Sequence, residues 1–361
     1  MMSRQFKQTI ARTADFCGVA RLFRQINRKK LLVVMYHGIT TSDYIPPIWT
    51  QLPLEKFRQQ LEFLREHYVP VSLAEVVSAS RGGSILPERA VLVTFDDGLK
   101  NNYAVAFPVL QELHVPAAIF LTVDLIGSEE LLWFDELFFL LQEAAVRGNI
   151  PDLPDPAAND LLHGGRVWES YQIIVERLKR AGVEARSLFM DNLRAEVPLD
   201  RHRMLDDFGL LDWDEVGAMH RTGLAEFGVH TASHRILTEL ADHEWEREII
   251  VPKQLLEKKL QTEVAAFCFP NGKPLIDFSP RQLGLLREAG YCCAFTTENA
   301  LFDMTAGDSM AIGRVPAGND ATSDSSFFPL NTSGFLRVVR DMARNLASGP
   351  RSSTLSAGVK P

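Results

Sequence analysis

The sequence predicts an α/β fold built on parallel strands, and three observations carry that expectation. From residue 31 onward, short apolar β-branched runs alternate with helical patterns, as βαβ units require. Seven such runs occur: Leu31–His37, Ala90–Asp96, Ala117–Thr122, Ala225–His230, Val264–Phe269, Cys292–Thr297 and Ala311–Val315. The length, 361 residues, suits a single α/β barrel carrying an insertion as well as it suits two domains.

In chain order, residues 3–30 place Phe6, Ile10, Ala14 and Cys17 at helical spacing, then Gly18, then Ala20, Phe23 and Ile26 with arginines between them. A basic amphipathic helix broken at Gly18 is expected there. Residues 1–30 carry a net charge of +7 and the remainder −15. Such a helix either lies on an anionic membrane surface or packs on the body with a solvated basic face. Leu54–His67 reads as a helix with Pro53 suited to its first turn, and Asp212–Arg221 as one capped by Asp212. A third, from His243 to Gln261, carries Trp245, Ile249, Leu255 and Leu260, and Pro252 is expected to kink it.

One interval breaks the rhythm. More than 80 residues separate Asp124 from the helix at Leu211–Arg221, where a barrel needs one crossover. Residues 125–210 therefore read as a mainly helical insertion, with an apolar run at Leu131–Leu141, a Pro-rich linker at Ile150–Pro156 and a helix near Val167–Ala181. Following a strand's carboxyl end, it is expected over the top face, as a cap. The expected organisation is a basic segment over 1–30, a barrel over 31–345 interrupted at 125–210, and a disordered tail rich in Ser, Gly and Pro over 346–361.

With 46% hydrophobic and 23% charged residues, 23 Gly and 19 Pro, the composition excludes disordered, collagenous and coiled-coil classes. A net charge of −8 argues against nucleic acid as a partner. Four cysteines are too few for a disulfide scaffold, and the adjacent Cys292 and Cys293 are poorly placed to bridge each other. With no apolar run of signal-peptide or membrane-span length, a cytoplasmic location is expected, with peripheral contact at the inner face of the membrane through the basic N-terminus.

The strongest chemical signal is Val91-Leu92-Val93-Thr94-Phe95-Asp96-Asp97-Gly98, an apolar strand ending in two adjacent carboxylates and a glycine. In extended backbone, neighbouring side chains point opposite ways, so one carboxylate can face a metal and the other a substrate. By itself the pair also fits a solvated loop or a helix cap. The second signal is Gly228-Val229-His230-Thr231-Ala232-Ser233-His234, where a strand delivers two histidines. On one helical turn, side chains at i and i+4 lie about 5–6 Å apart at Cβ, close enough to share an ion. Two imidazoles and one carboxylate complete a three-ligand site with a fourth position open to water.

These segments resemble the polysaccharide deacetylases, carbohydrate esterase family 4, over about residues 31–320. The resemblance implies a distorted TIM-like, seven-stranded (β/α) barrel. It also implies a divalent metal, zinc first and cobalt, nickel, manganese or ferrous iron as alternatives. Thr94-Phe95-Asp96-Asp97-Gly98 is similar to the family's first motif, which makes Asp96 the catalytic base and Asp97 a metal ligand. His230-Thr231-Ala232-Ser233-His234 is similar to the second, which makes both histidines ligands. Phe267-Cys268-Phe269-Pro270-Asn271-Gly272 resembles the third motif in its exopolysaccharide-deacetylase form, with Phe269 where a Tyr is usual, and assigns the N–H of Asn271, after Pro270, to an oxyanion hole.

Two departures stand out. Ala265 and Ala266 occupy the region where many relatives hold the base with an Arg, leaving Arg314, at the end of the last strand, to approach from another side or to be a surface residue. The late Leu-x-x-His motif is absent from the C-terminal region, and His37 in Met35-Tyr36-His37-Gly38 takes its place as candidate acid, against a role in the core. Trp133, in Leu132-Trp133-Phe134-Asp135-Glu136-Leu137, either stacks on a sugar or starts an apolar helix. Cys268 reads as a small buried hydrophobe. His243-Glu244 lacks the second histidine of a zincin.

The activity implied is metal-dependent removal of N-acetyl groups from an amino sugar in a polysaccharide or lipid-linked glycan. The rivals are hydrolysis of a formyl amide or cyclic ureide, and a non-catalytic barrel that binds or helps assemble glycans. The sequence does not specify the oligomeric state.

Overall fold

The computed structural model describes residue 13, residues 17–44 and residues 47–347. Phe6, Ile10 and Ala14, and the tail after 347, lie outside the described residues. The elements, in order, are α1 (Val19–Ile26), β1 (Leu32–Tyr36), β2 (Gly38–Thr40), β3 (Gln51–Pro53), α2 (Leu54–His67), β4 (Val69–Pro70), α3 (Leu73–Ser80), β5 (Ala90–Phe95), α4 (Phe107–Leu113) and β6 (Ala117–Leu121). A helical stretch follows: α5 (Trp133–Arg147), α6 (Pro156–His163), α7 (Val167–Arg180), α8 (Val183–Glu196) and α9 (Leu205–Phe208). Then come α10 (Trp213–His220), β7 (Ala225–Val229), α11 (Val251–Leu260), β8 (Ala266–Cys268), α12 (Pro280–Glu288), β9 (Cys293–Phe295), β10 (Val315–Pro316), α13 (Phe328–Thr332) and α14 (Phe335–Ala347).

Seven strands run parallel in the order β10-β1-β5-β6-β7-β8-β9, with β4 added beside β5; six lie within their expected ranges, and the last, expected over Ala311–Val315, is Val315–Pro316, with a 3-10 turn over Ser309–Ala311. The curl is completed by residues 312–316. Ile312 exchanges backbone hydrogen bonds with the β9 end, donating to Ala294 and accepting from Thr296, both at 2.8 Å, and Val315 pairs with Val34 of β1. This is the seven-stranded (β/α) barrel expected.

Period-two alternation sorts the strand side chains into two cores. Val34, Val93, Ile119 and Phe227 face outward and pack against Phe57, Leu61, Leu110, Val216 and Leu256 of the surrounding helices. Val33, Leu92, Ala118, Phe120, Cys268, Phe295 and Ile312 fill the second cluster, the barrel interior. Gly228 has a steric reason: a Cβ there would lie 2.6 Å from the Phe120 ring that fills the interior beside it.

Helix boundaries follow local chemistry, with one difference from expectation. Asp212 accepts from the Glu215 N–H while Glu215 reaches back to the Asp212 N–H, a reciprocal cap on α10. Pro53 is the extended residue before α2 rather than part of its first turn. Pro252 falls within an unbroken helical run: a π turn (Glu246–Ile250) leads directly into α11, and the Glu248 carbonyl, four residues before Pro252, which has no N–H to donate, accepts from the Ala232 N–H instead.

The stretch α5–α9 follows the carboxyl end of β6 and has its own apolar core of Leu137, Leu141, Ile174, Leu178, Met190 and Leu193. Asp207 ties it to the barrel. Its carboxylate accepts from the Tyr44 hydroxyl (2.6 Å) and the Thr40 hydroxyl (3.0 Å), and its carbonyl accepts from Gln51 Nε2 (2.8 Å). On the other side Glu136, fully buried, accepts two hydrogen bonds from the Arg194 guanidinium at 2.6 and 3.0 Å. Among the described residues no helix is long and apolar enough to cross a membrane.

Candidate active site

The carboxyl ends of β1, β5, β7 and β8 converge on a pocket of about 570 Å3, lined by His37, Asp96, Asp97, His230, His234 and Asn271 among others. Asp96 and Asp97 follow the last residue of β5, and the backbone turns sharply there: Asp97 has φ 72° and Gly98 φ 80°. Eight non-glycine residues have positive φ among the described residues, and Asp97, Thr231, His234 and Asn271 are four of them. Strain of this kind persists where surrounding contacts enforce it. At residues 231–234 Glu248, fully buried, supplies them: its carboxylate accepts from the Ser233 N–H (3.1 Å) and hydroxyl (2.8 Å), and its carbonyl accepts from the Ala232 N–H (3.0 Å). His230 and His234 therefore meet across a tight turn with a left-handed residue, not a helical turn, and their ring centroids are 4.9 Å apart.

Asp97, His230 and His234 form one cluster. Asp97 Oδ1 is buried and accepts no hydrogen bond, and it lies 3.5 Å from His230 Nε2 and 3.3 Å from His234 Nε2. The three ligand atoms all lie within 4.8 Å of one another, a spacing one ion can bridge. The His230 Nδ1–H donates to the Cys268 carbonyl at 2.8 Å, which turns the Nε2 lone pair toward Asp97. Burial pushes the His230 pKa down to about 4, so the ring is neutral, the form that ligates metal. Burial alone would raise the Asp97 pKa, but the neighbouring imidazoles, His234 foremost, bring it below the usual carboxylate range. Orphaned oxygen, aligned imidazoles and donor chemistry all fit a divalent cation.

Asp96 is held by Arg314. The guanidinium donates to both carboxylate oxygens, Nη1 to Oδ1 at 2.6 Å and Nη2 to Oδ2 at 2.8 Å, and both side chains are buried. Arg314 Nε donates to the Thr296 carbonyl at 2.9 Å, fixing the guanidinium plane. Burial would raise the Asp96 pKa; the facing guanidinium outweighs it, and the carboxyl stays well below its ordinary range. A guanidinium thus reaches Asp96 from β10, where no Arg precedes Pro270. Cys268 Sγ lies 3.5 Å from Asp96 Oδ1, and burial keeps it a thiol.

His37 lines the pocket edge-on to Trp49, centroids 5.2 Å apart, and its carbonyl accepts from Asn102 Nδ2 at 2.6 Å. Asn271 lines it too, and no acceptor among the described residues takes its backbone N–H. Pro270 is buried behind it. Trp133 starts α5 with Arg186 4.9 Å over its ring, and it lines a small crevice that shares Phe134, His234 and Asn271 with the pocket rather than the pocket itself. The aromatic wall consists instead of Phe134, Phe138, Phe139, Trp168 and Tyr171 from α5 and α7, with Phe134 5.0 Å from the His234 ring. That wall, Asp135 and Glu248 lay outside the sequence expectations. Helical periodicity sorts α5 into faces but does not tell which face meets a pocket.

The fold and site define a (β/α) barrel with an Asp-His-His cluster that could hold a cation and a second, guanidinium-held carboxylate at its mouth. The match to known proteins is more particular: the polysaccharide deacetylase family model covers residues 84–294, and the chain belongs to that family. Family members depend on a divalent metal. The chain is 43% identical over 84 residues to the poly-β-1,6-N-acetyl-D-glucosamine N-deacetylase of Escherichia coli K12, spanning 22% of this chain and only 12% of that protein. It is 25% identical over 221 residues to the Staphylococcus epidermidis protein of the same name, spanning 56% of this chain and 68% of that one. In fold it is similar to a polysaccharide deacetylase from Bacillus cereus (TM-score 0.54, 20% identity, 84% of this chain and 69% of that one). It is also similar to IcaB from Ammonifex degensii (TM-score 0.53, 20% identity, 84% and 97%).

Proposed function

We propose that this protein is a metal-dependent N-deacetylase, hydrolysing N-acetyl groups on an amino sugar in a polysaccharide or lipid-linked glycan to leave acetate and a free amine. The carrying observation is the cluster of Asp97, His230 and His234 beside an ionised, Arg314-held Asp96 in an open pocket. A divalent ion held there, zinc by the donor set, supplies Lewis acidity toward the amide carbonyl. Asp96 takes the proton of the attacking water on a lone pair that Arg314 leaves free. The Asn271 N–H donates to the carbonyl oxygen as charge develops on it. His37 protonates the departing nitrogen. Arg314 is a positioning residue.

The names of the E. coli and S. epidermidis relatives support poly-β-1,6-N-acetyl-D-glucosamine as the first substrate to try. The test is metal content together with acetate release from β-1,6-linked N-acetylglucosamine oligomers. About one divalent ion per chain, with acetate released, is expected from a three-ligand site. No retained ion and no acetate overturns the reading, and formate released from an N-formyl analogue in place of acetate moves it to the formyl-amide reaction.

The same reading places residues 125–210 as an insertion facing the substrate, and the enzyme at the cytoplasmic face of a membrane. For the membrane contact, though not for its side, the support is that α1 packs Phe23 edge-on against Phe335 while leaving Leu22 and Ile26 exposed beside Arg21 and Lys29. Sedimentation with anionic vesicles, lost on reversing the charge of Arg21 and Lys29, is the expected result.

A further inference from the structure

Asp135 and Glu136 are adjacent in the first turn of α5 and both are buried, yet their surroundings differ. Glu136 is gripped by Arg194, with Arg201 Nε 3.5 Å away. The Asp135 side chain makes no hydrogen bond or salt bridge among the described residues: it lines the pocket beside Phe134, Phe138, Phe139 and Tyr171, and Lys179, which lines the same pocket, pairs with Glu176 instead. Burial, and secondly the like charge of Asp97, pushes its pKa well up. A helix N-terminus favours an acid, but a solvated one serves as well, and burial without a partner is unfavourable. The carboxyl is left facing the open pocket without a protein partner.

We propose that Asp135 recognises substrate: its carboxyl hydrogen-bonds a hydroxyl group of the sugar ring whose N-acyl group lies at the Asp97, His230 and His234 site. The inference rests on the deacetylase reading above. A hydroxyl donates and accepts, so it matches the carboxyl in either protonation state, and the aromatic wall beside it suits an apolar sugar face. A cationic partner, such as an amine on an already deacetylated neighbouring unit, would instead require a charged carboxylate, which Asp135→Asn removes.

The test compares Asp135→Asn and Asp135→Leu on β-1,6-linked N-acetylglucosamine oligomers, with thermal melting of each. Asp135→Asn keeps a hydrogen-bonding head and holds KM within about threefold. Asp135→Leu raises KM about tenfold or more with kcat little changed, and its melting temperature stays level or rises, because an unpaired buried carboxyl is gone. Wild-type KM in Asp135→Leu overturns the proposal, as does a fall in melting temperature with KM unmoved, which marks a structural role. Equal loss in both variants also overturns it, in favour of a charged partner. If the wild type releases no acetate, it is the deacetylase reading that fails, and this inference falls with it; wild-type activity with an insensitive Asp135 sinks the inference alone.

Discussion

The two walls of the pocket are built on opposite principles. On the barrel side, Asp96 and His230 have polar partners that leave little freedom: Arg314 on two oxygens, and the Cys268 carbonyl on Nδ1. Asp97 is held by its backbone between two imidazoles. On the α5–α7 side the surface is aromatic, and its one carboxyl toward the pocket, Asp135, has no partner. Rigid polar geometry suits bond-making groups, which lose rate with small displacements. An apolar wall with an unmet hydrogen-bonding group suits recognition of a bound sugar.

The sharpest break in that comparison is His230→Ala, which removes one of the three proposed ligands from the barrel wall. Retained metal should fall from about one ion per chain to none, and activity by about a thousandfold or more, read by elemental mass spectrometry and acetate release. Asp96→Asn tests the other barrel group: kcat should drop about 10²–10⁴-fold while the metal stays. An active Asp96→Asn protein would mean that this wall does not carry the chemistry.

Arg314→Met should destabilise the fold by about 3–5 kcal/mol, since it strands a buried charge, and denaturant titration measures it. The wild-type pH dependence follows from the same pair. Because the folded-state pKa of Asp96 is lowered, its contribution to stability is complete above the ordinary carboxylate range and is lost as pH falls toward the folded value. In Arg314→Met that acid-side loss should shrink, and the acid limb of kcat/KM should move to higher pH. Glu248→Gln loosens the strained turn holding both histidines, and metal affinity should weaken about tenfold in competition with a chelator. The smallest effect is on the recognition wall: Phe138→Ala should raise KM severalfold with kcat and metal content unchanged, and Trp133→Ala should leave both kinetic constants alone.

Much of the barrel was legible because its strands advertise themselves by period-two burial and β-branched runs, and the Asp96-Asp97 and His230-His234 segments because each ends a strand. At β5 and β7 the chain leaves the sheet just past the expected ends: Asp96 and His230 still donate their N–H groups to Tyr36 and Leu121 of the neighbouring strands, and the backbone turns at Asp97 and Thr231, both of positive φ. Glu248 was not legible, since an acid in a helical pattern carries no mark of the turn it holds 15 residues away. Trp133 and Phe134 were adjacent aromatics, and only the packing of α5 on α7 and α8 sent Trp133 under Arg186 and Phe134 to the pocket.

By itself, then, the sequence determined the α/β class, the seven strands and the four residues at their mouths, because periodicity and strand-end position are local properties. The tertiary structure decided what depends on residues far apart in the chain meeting in space. It put Arg314 against Asp96, 218 positions away, to supply the guanidinium that the segment before Pro270 lacks. It also turned one of two neighbouring acids on α5 to an arginine and the other to the open pocket.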